Sequence, residues 1–216
     1  MDPGHSREAA ARREPRDLGT LGGDLSRAWG LNRAGDVVGQ STLANGSVRA
    51  FIWQNGVMKR IKSAETFVAR AWDINNSGII TGDFHRPGTR DHAFRWKEGA
   101  LKDLGTLGGP VSYGRAINNA GTILGWSRTA SGAANNFIYR DGKMTDIGAV
   151  SGADIGARDQ VVGTILRNRN PIAVVWQEGN LTEVGPGYGV GINQNGWVVV
   201  RRNTATGTVA ELYKPN

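Results

Sequence analysis

The feature that most constrains the fold of this chain is a repeat of about 40 residues. In each copy an aromatic residue precedes a short turn: Trp53-Gln-Asn-Gly56, Trp96-Lys-Glu-Gly99, Tyr139-Arg-Asp-Gly142, Trp176-Gln-Glu-Gly179 and Tyr213-Lys-Pro-Asn216. The steps between these aromatics are 43, 43, 37 and 37 residues. A second motif, I-N-x-x-G, stays in register at Leu31-Asn32, Ile74-Asn75, Ile117-Asn118 and Ile192-Asn193, with a degraded copy at Ile155-Gly156. Short apolar runs with glycine turns at this period predict repeated small β-sheets.

Each copy has the pattern of four short strands joined by turns. The strands of the second copy are predicted at 69–75, 79–84, 92–96 and 100–104. They are rich in the β-branched and aromatic residues that strands favour. Because such a sheet has two faces to bury, neighbouring copies must cover them. We therefore predict an all-β fold, a five-bladed β-propeller of four-stranded antiparallel blades. The blade cores are predicted at about 26–62, 69–105, 112–148, 150–185 and 187–216 plus 14–19.

The fifth copy lacks the fourth strand of the others, and a matching segment, Arg16-Asp-Leu-Gly19, precedes the first copy. We predict that residues 14–19 form a strand that completes the last blade beside 210–213 and closes the ring. The alternative, an open solenoid, would need polar caps at its ends, and the sequence shows none. Residues 1–13 are expected to form a flexible tail and 14–216 a single domain.

The repeat also resembles a known family. The segments Asp17-Leu-Gly-Thr-Leu-Gly-Gly23 and Asp103-Leu-Gly-Thr-Leu-Gly-Gly109, the phrase at 31–39 and the literal His92-Ala-Phe94 are similar to the bacterial HAF repeats. The resemblance covers nearly all of 16–216 and is specific for the repeat unit. It implies little about activity, because that family is largely described as extracellular proteins of unknown role. The chain departs from the family in its degraded fourth copy, and we expect it to differ also in forming a single closed ring and in having no export signal.

Composition narrows the class of protein. The 216 residues suffice for one all-β domain with a substantial core. No apolar run approaches the length of a transmembrane helix, the first residues lack the apolar core of a signal peptide, and cysteine is absent. We expect a cytoplasmic protein with no membrane partner, no disulfides and no cofactor, and we leave its oligomeric state open. The histidines, His5, His85 and His92, show no metal-binding spacing even with Asp83 and Asp91 nearby, so no metal site is predicted.

The net charge of +7 raises the question of a nucleic-acid partner. The basic residues are dispersed over different blades, and they accompany no aromatic platform of a known nucleic-acid module. We therefore interpret the charge as a solvated basic surface that attracts anionic partners.

Function is expected where the copies differ, because the repeated asparagines and glycines are turn residues and the repeated aromatics pack the blades. The residues five positions before the asparagine column are Arg27, Arg70, Tyr113, Ser151 and Tyr188. Those three positions before it are Trp29, Trp72, Arg115, Ala153 and Val190, and those two before it are Gly30, Asp73, Ala116, Asp154 and Gly191. The segments that enter the first three blades are also longer, 12 residues against 7 for the last two.

These columns predict an asymmetric axial funnel, cationic and aromatic over three blades and small over two. Arginine binds oxyanions, and tryptophan and tyrosine supply apolar area with one polar group each. The predicted ligand-binding residues are Arg27, Trp29, Trp72, Arg115, Asp154 and Tyr188. The predicted catalytic residues are Arg70, Asp73 and Tyr113.

Two of these assignments have structural alternatives. The tryptophans have an equal claim to be wedges between blades. Asp73 and Asp154 are either an acid–base pair, of the kind that five-bladed glycoside hydrolases use, or partners in salt bridges with Arg70 or Arg115. For the acid–base pair, Glu65 is the candidate for a third carboxylate.

Three function classes fit this interpretation. The first is the binding of one small anionic or polar-oxygen-bearing, partly apolar molecule, with a cofactor-independent cyclase, isomerase or lyase activity through positioning and electrostatics. The second is a protein-interaction scaffold. The third is a lectin-like propeller, which the sequence disfavours because the repeated residues belong to the frame.

Overall fold

The fold is known from a computed structural model, which describes residues 15–61, 68–85, 88 and 90–214. These residues form five antiparallel sheets, each a meander in chain order. The first sheet contains β1 (Gly22–Leu31), β2 (Val37–Leu43), β3 (Val48–Gln54) and β4 (Val57–Arg60). The second contains β5 (Val68–Ile74), β6 (Ile80–His85), β7 (His92–Lys97) and β8 (Ala100–Asp103). The third contains β9 (Gly108–Ile117), β10 (Ile123–Thr129), β11 (Ala134–Arg140) and β12 (Lys143–Gly148).

The remaining two sheets differ in strand number. The fourth contains β13 (Ser151–Ile155), β14 (Val161–Arg167), β15 (Asn170–Gln177) and β16 (Asn180–Pro186). The fifth has three strands, β17 (Tyr188–Ile192), β18 (Val198–Thr204) and β19 (Gly207–Tyr213). The predicted all-β fold of five small antiparallel sheets is confirmed. No helix in the described part of the chain is long and apolar enough to cross a membrane.

The repeated aromatic motif marks the hairpin between the third and fourth strands of a sheet. After Trp53, the turn residues Asn55 and Gly56 have φ of 49° and 87°. After Trp96, Glu98 and Gly99 have φ of 49° and 91°. Two successive residues with positive φ form the turn whose twist matches a two-residue hairpin, which explains why the motif ends in glycine.

Apolar clusters join each sheet to the next one along the chain. The first cluster includes Val38 and Ile52 of the first sheet and Ile74 of the second. Ile117, Ile155 and Ile192 occupy the corresponding place in the next three clusters. The apolar residue of the I-N motif therefore packs on the preceding sheet.

The asparagine of the I-N motif forms a relay between sheets in addition to its expected turn. The Nδ2 of Asn32 donates to the carbonyl of Asn75 at 3.3 Å, and that of Asn75 donates to the carbonyl of Asn118 at 3.0 Å. Asn118 Nδ2 continues to the carbonyl of Gly156 at 2.9 Å. The relay stops at the fourth sheet, because Gly156 has no side chain. Asp159, which replaces the motif's glycine there, adopts a φ of 59° as the turn requires.

The predicted closing strand is not formed among the described residues. Residues 15–20 have no strand conformation, and β19 has no partner beyond β18; Glu14 and the predicted tail at 1–13 lie outside the described residues. The segment instead packs against the first sheet, where the Arg16 guanidinium lies 5.0 Å from the centre of the Trp53 ring. Lys102 lies over Tyr139 in the same way, at 5.6 Å. The segment thus makes the side-chain contact of an outer strand without its backbone pairing.

Among the described residues, no apolar cluster joins the fifth sheet to the first as clusters join the other neighbouring sheets. Leu31, the counterpart of the buried Ile74, is 67% exposed, and Leu212 in the fifth sheet is 55% exposed. The first strands nevertheless share an axis, because the ends of β1, β5, β9, β13 and β17 line one cavity of about 490 Å³. The described sheets are therefore arranged like the blades of a propeller.

Candidate functional site

The register of the first hairpin in each sheet assigns a partner to every residue of the column that starts at Arg27. The pairs across the strands are Arg27–Gln40, Arg70–Asp83, Tyr113–Trp126, Ser151–Thr164 and Tyr188–Arg201. Three of these pairs are chemically complementary, and two of them, in the second and third sheets, belong to one continuous cluster described below.

Asp83 is the centre of the arrangement in the second sheet. It is 2% exposed, and its carboxylate accepts hydrogen bonds from Arg70 Nη1 at 3.1 Å and from Trp72 Nε1. Burial raises the pKa of Asp83, while the Trp72 and Arg70 donors act in the opposite direction. Both oxygens are thus engaged, and Asp83 fixes the orientation of the two predicted site residues beside it.

An aromatic surface continues from the second sheet to its neighbours on both sides. The rings of Trp29 and Trp72 stack with centres 4.3 Å apart. On the third sheet, the Arg115 guanidinium lies 5.6 Å from the centre of the Trp72 ring. A cation over an indole face is favourable, and it holds the arginine beside the aromatic surface.

Tyr113 lies next to this surface on the third sheet. Its hydroxyl donates to Asp91 Oδ2 at 3.0 Å, and the other oxygen of Asp91 is 3.1 Å from His85 Nδ1. Its ring stacks on Trp126 with centres 4.8 Å apart. Burial and then the hydrogen bond to Asp91 raise the pKa of Tyr113 to about 12, so the phenol is neutral and a donor at physiological pH.

The titration of Tyr113 provides a first test of this geometry. In the pH titration of tyrosinate absorbance, the wild-type protein is expected to show a component with a midpoint of about 12 that the Tyr113→Phe variant lacks. Because the folded state holds this proton more tightly than the unfolded chain, Tyr113 should also make stability fall as pH rises from 10 toward about 12. If the component that the Tyr113→Phe variant loses were centred near the ordinary tyrosine pKa of 10, the contact of Tyr113 with Asp91 would be contradicted.

We call this group the mouth cluster; its members are Trp29, Arg70, Trp72, Asp83, Asp91, Tyr113, Arg115 and Trp126. A cavity of about 360 Å³ lies beside it, between the third and fourth sheets. Arg115, Trp126, Asn136 and Ser151 line this cavity. Its size and its mixture of aromatic, amide, hydroxyl and cationic groups are typical of sites for small molecules.

The contacts of Asp73 and Asp154 differ from the two roles that the sequence suggested for them, an acid–base pair or salt bridges with arginine. Asp73 accepts the backbone N–H of Ile74 at 2.8 Å and that of Ile117, in the next sheet, at 2.9 Å. Asp154 repeats the arrangement with Ile155 at 2.8 Å and Ile192 at 3.1 Å. These carboxylates therefore tie neighbouring sheets together through the backbone.

Among the described residues neither aspartate forms the alternative salt bridge with Arg70 or Arg115, and Arg70 pairs with Asp83 instead. Burial raises the pKa of Asp73, and the nearby charge of Asp154 adds to this effect against the two backbone donors. Glu65, the suggested third carboxylate, lies outside the described residues.

Two other predicted site residues lie apart from the mouth cluster. Arg27 is exposed on the first sheet, and no contact joins it to the cluster within the described ranges. Tyr188, on the fifth sheet, lies under the guanidinium of Arg201, 4.9 Å from its ring centre. The mouth cluster and its cavity thus span the first four sheets only.

Asp83, Asp91 and Trp126 were not predicted as parts of an organic-ligand site. The two aspartates were considered only with histidine as metal ligands, yet His85 pairs with Asp91 and His92 with Asp103 in separate contacts. The described residues contain no group of three or more acidic or histidine side chains placed for a metal ion. The missing signal was the hairpin register, which places Asp83 opposite Arg70 and Trp126 opposite Tyr113.

Comparisons with known proteins identify the fold alone. No model of a known protein family matches the chain, and no curated protein matches it by sequence. Among solved structures, TolB from Acinetobacter baumannii is 15% identical with a TM-score of 0.54, over 73% of this chain and 42% of TolB. The chain therefore spans less than half the length of that protein. This likeness supports a propeller-type all-β architecture.

Two further structures match more of both chains at lower similarity. XC5397, a gluconolactonase from Xanthomonas campestris, is 14% identical with a TM-score of 0.46, over 87% of this chain and 86% of that one. The SapL1 lectin, solved with alpha methyl fucoside, is 10% identical with a TM-score of 0.44, over 87% and 81%. Similarities of this size carry no argument about what the present chain binds.

Proposed function

We propose that the protein binds one small organic molecule, an oxyanion or other polar oxygen on a flat apolar body, at the mouth cluster. The observation that carries this proposal is the position of Arg115. Its side chain is exposed, it lies over Trp72, and it also lines the cavity between the third and fourth sheets. Within the described part of the chain it forms no ion pair, whereas Arg70 is committed to Asp83. Arg115 is thus the cation that an incoming oxyanion would meet.

The aromatic rings beside Arg115 supply the apolar part of the site. Trp72 and Trp29 form one stacked pair, and Trp126 with Tyr113 forms another. The ring of Trp126, which lines the cavity together with Arg115, suits a planar ligand, because stacking on an aromatic face is favourable while the guanidinium of Arg115 binds a polar edge. Asp83 holds Trp72 in place before binding, and Asp91 holds Tyr113, which reduces the loss of entropy when a ligand binds.

The contacts of the predicted catalytic residues favour binding over proton transfer. Both oxygens of Asp73 accept backbone N–H groups, and Tyr113 is a neutral phenol already donating to Asp91. If the ligand is a substrate, its cyclisation, isomerisation or elimination would depend on Arg115 polarising an oxygen and on the aromatic surface holding it in shape.

The asymmetry of the site argues for a single ligand. In the repeated columns, Arg70, Tyr113 and Arg115 stand where the fourth and fifth sheets have Ser151, Tyr188, Ala153 and Val190. A lectin-like protein would instead repeat its contacts around the ring. The repeated residues here serve turns and sheet junctions.

The proposal is testable with naphthalene-2-carboxylate, a flat apolar body with one carboxylate, and its neutral carboxamide. Binding is measured by tryptophan fluorescence, since three tryptophans belong to the mouth cluster, and confirmed by calorimetry. The carboxylate is expected to bind more tightly than the amide. Arg115→Ala is expected to lower the affinity for the carboxylate roughly 10- to 100-fold, because it removes a charge-assisted hydrogen bond.

Arg27→Ala is the matched control, since it removes the same charge from an exposed position of the first sheet. It should leave the affinity for the carboxylate unchanged. Equal losses in both variants would indicate nonspecific attraction to a basic surface, and an unaffected Arg115→Ala variant would remove Arg115 from the site.

A further inference from the structure

A second set of cations lies between the second and third sheets, away from the mouth cluster. A cavity of about 270 Å³ there is lined by Arg95, Lys102 and Tyr139 together with the turn at 140–142. Arg95 and Lys102 are direct neighbours across β7 and β8. Lys102 Nζ lies 5.6 Å from the centre of the Tyr139 ring. Three groups that can donate to an anion therefore line one cavity.

Arg95 is an exception within the repeat. It precedes Trp96 in β7, and the corresponding residues before the aromatic in the other sheets are Ile52, Ile138, Val175 and Leu212. In two of these sheets the aliphatic side chain is buried at the sheet junction. The repeat therefore favours an apolar residue at this position, and packing between sheets does not explain why it is an arginine.

The charges of Arg95 and Lys102 are not neutralised by an acidic side chain among the described residues. In the described part of the chain neither forms an ion pair, whereas the neighbouring Arg140 is paired with Asp159 at 2.6 Å and with Asp141 at 3.7 Å. Asp141 at the rim is thereby matched by Arg140. The cavity therefore carries an uncompensated positive charge.

Tyr139 supplies an independent indication of a ligand. Tyr139 is 5% exposed, and its buried hydroxyl finds no hydrogen-bond partner among the residues that the structure describes. The tyrosine at the same position of the fifth sheet, Tyr213, donates instead to Glu211 at 2.9 Å. A buried hydroxyl without a partner is costly, so a group that accepts its hydrogen bond within the cavity would be stabilised there.

We propose that this cavity is an anion site for a phosphate group, held by the Arg95 guanidinium, the Lys102 ammonium and the Tyr139 hydroxyl. The forked donors of arginine match two oxygens of a phosphate, lysine contributes a point charge, and the tyrosine donates to a further oxygen. The group belongs either to inorganic phosphate or to a larger phosphate ester. The site is separate from the mouth cluster and does not depend on the function proposed for it.

Calorimetric titration with inorganic phosphate, at constant ionic strength maintained with chloride, tests the proposal. The wild-type protein is expected to bind one phosphate. Arg95→Ile gives β7 the residue of the first and third sheets, so the fold should persist, and the affinity for phosphate should fall at least about 10-fold. Lys102→Thr, which copies Thr145 and Thr182, should weaken phosphate binding in the same direction. Tyr139→Phe should weaken it by a smaller factor.

Lys59→Thr is the matched control, because Lys59 occupies the position of Lys102 in the first sheet, beside the aliphatic Ile52. It should leave phosphate binding unchanged. Phenyl phosphate as a second titrant distinguishes the two sources, since tighter binding than inorganic phosphate indicates an ester. The proposal would be overturned if Arg95→Ile bound phosphate with the affinity of the wild type. It would also be overturned if titrating phosphate into the wild-type protein released no more heat than titrating chloride. Naphthalene-2-carboxylate binding should be unaffected by Arg95→Ile, which keeps the two sites distinguishable.

Discussion

Replacing Gly82 by alanine is expected to lower the free energy of unfolding by about 3 kcal/mol or more. A Cβ at this position would lie 1.9 Å from the carbonyl oxygen of Arg70 and 2.8 Å from the ring of Phe94. Neither neighbour can move freely, because Arg70 belongs to the paired strand β5 and Phe94 is fully buried. The strands β5 and β6 would have to separate, and the contact between Arg70 and Asp83 would be lost with them. Urea unfolding followed by circular dichroism measures the effect.

The same substitution at Gly191 is the control. The nearest atom to a Cβ there is an oxygen of Asp154 at 3.6 Å, an ordinary contact distance. Gly191→Ala is therefore expected to change the free energy of unfolding by less than about 1 kcal/mol. Similar losses in both variants would show that β5 and β6 are not as closely spaced as described.

Replacing Asn118 by alanine is expected to lower the free energy of unfolding by about 3 kcal/mol. Its amide donates to the carbonyl of Gly156 at 2.9 Å and to Asp159 Oδ1 at 2.7 Å, and its Oδ1 accepts from Thr122 N at 3.0 Å. Asn118 is buried, so its loss would leave polar groups without water or protein partners at the junction of the third and fourth sheets. Chemical denaturation of the Asn118→Ala variant and the wild-type protein measures the loss.

Asn193→Ala separates the relay from the turn. Asn193 accepts from Asn195 N at 2.9 Å and from Trp197 N at 3.0 Å, as its counterparts do in their own turns. It is exposed, and within the described residues its amide donates to no neighbouring sheet. Its replacement should cost about 1 kcal/mol. If Asn118→Ala and Asn193→Ala lost equal stability, the bonds between sheets would contribute nothing.

The architecture was predictable from the sequence because a repeat states the same local structure several times. The turn after Trp53 and the turn after Trp96 have the positive φ values that their glycines suggested. The role of the asparagine side chain between sheets was not predictable, because its amide is bonded to a carbonyl 43 residues away. Pattern indicates which residues form a turn, and only three-dimensional packing shows what else that turn touches.

The predicted closure of the ring also depends on contacts that a repeated pattern does not specify. The segment at 16–19 matches the ending of the second copy, and its Arg16 does contact Trp53 as Lys102 contacts Tyr139. Among the described residues this segment does not pair with β19. A shared motif indicates a local conformation and does not by itself specify the strand that pairs with it. The contact of Arg16 with the first sheet was not predicted, and closure of the ring through this segment stays a prediction.

At the candidate site, the sequence columns located Arg70, Tyr113 and Arg115 but not the groups that orient them. Those groups lie on the following strand, where Asp83 and Trp126 face the column residues across the hairpin. Reading each column together with its hairpin partner would have revealed the Arg70–Asp83 and Tyr113–Trp126 pairs. Asp73 was harder to assign, since a carboxylate that binds backbone N–H groups of the next sheet leaves no pattern of charge to detect.

The three-stranded fifth sheet implies an order in which the molecule comes apart. Within the described residues an apolar cluster joins it to the fourth sheet alone, it exposes Val199 and Leu212, and the asparagine relay does not reach it. Stability is distributed unevenly in such arrays, and opening begins where the fewest neighbours hold a unit. Fraying therefore starts at the C-terminal sheet. Because every contact of Arg115 and its aromatic companions lies in the sheets before it, a bound molecule would neither hinder that fraying nor be released by it.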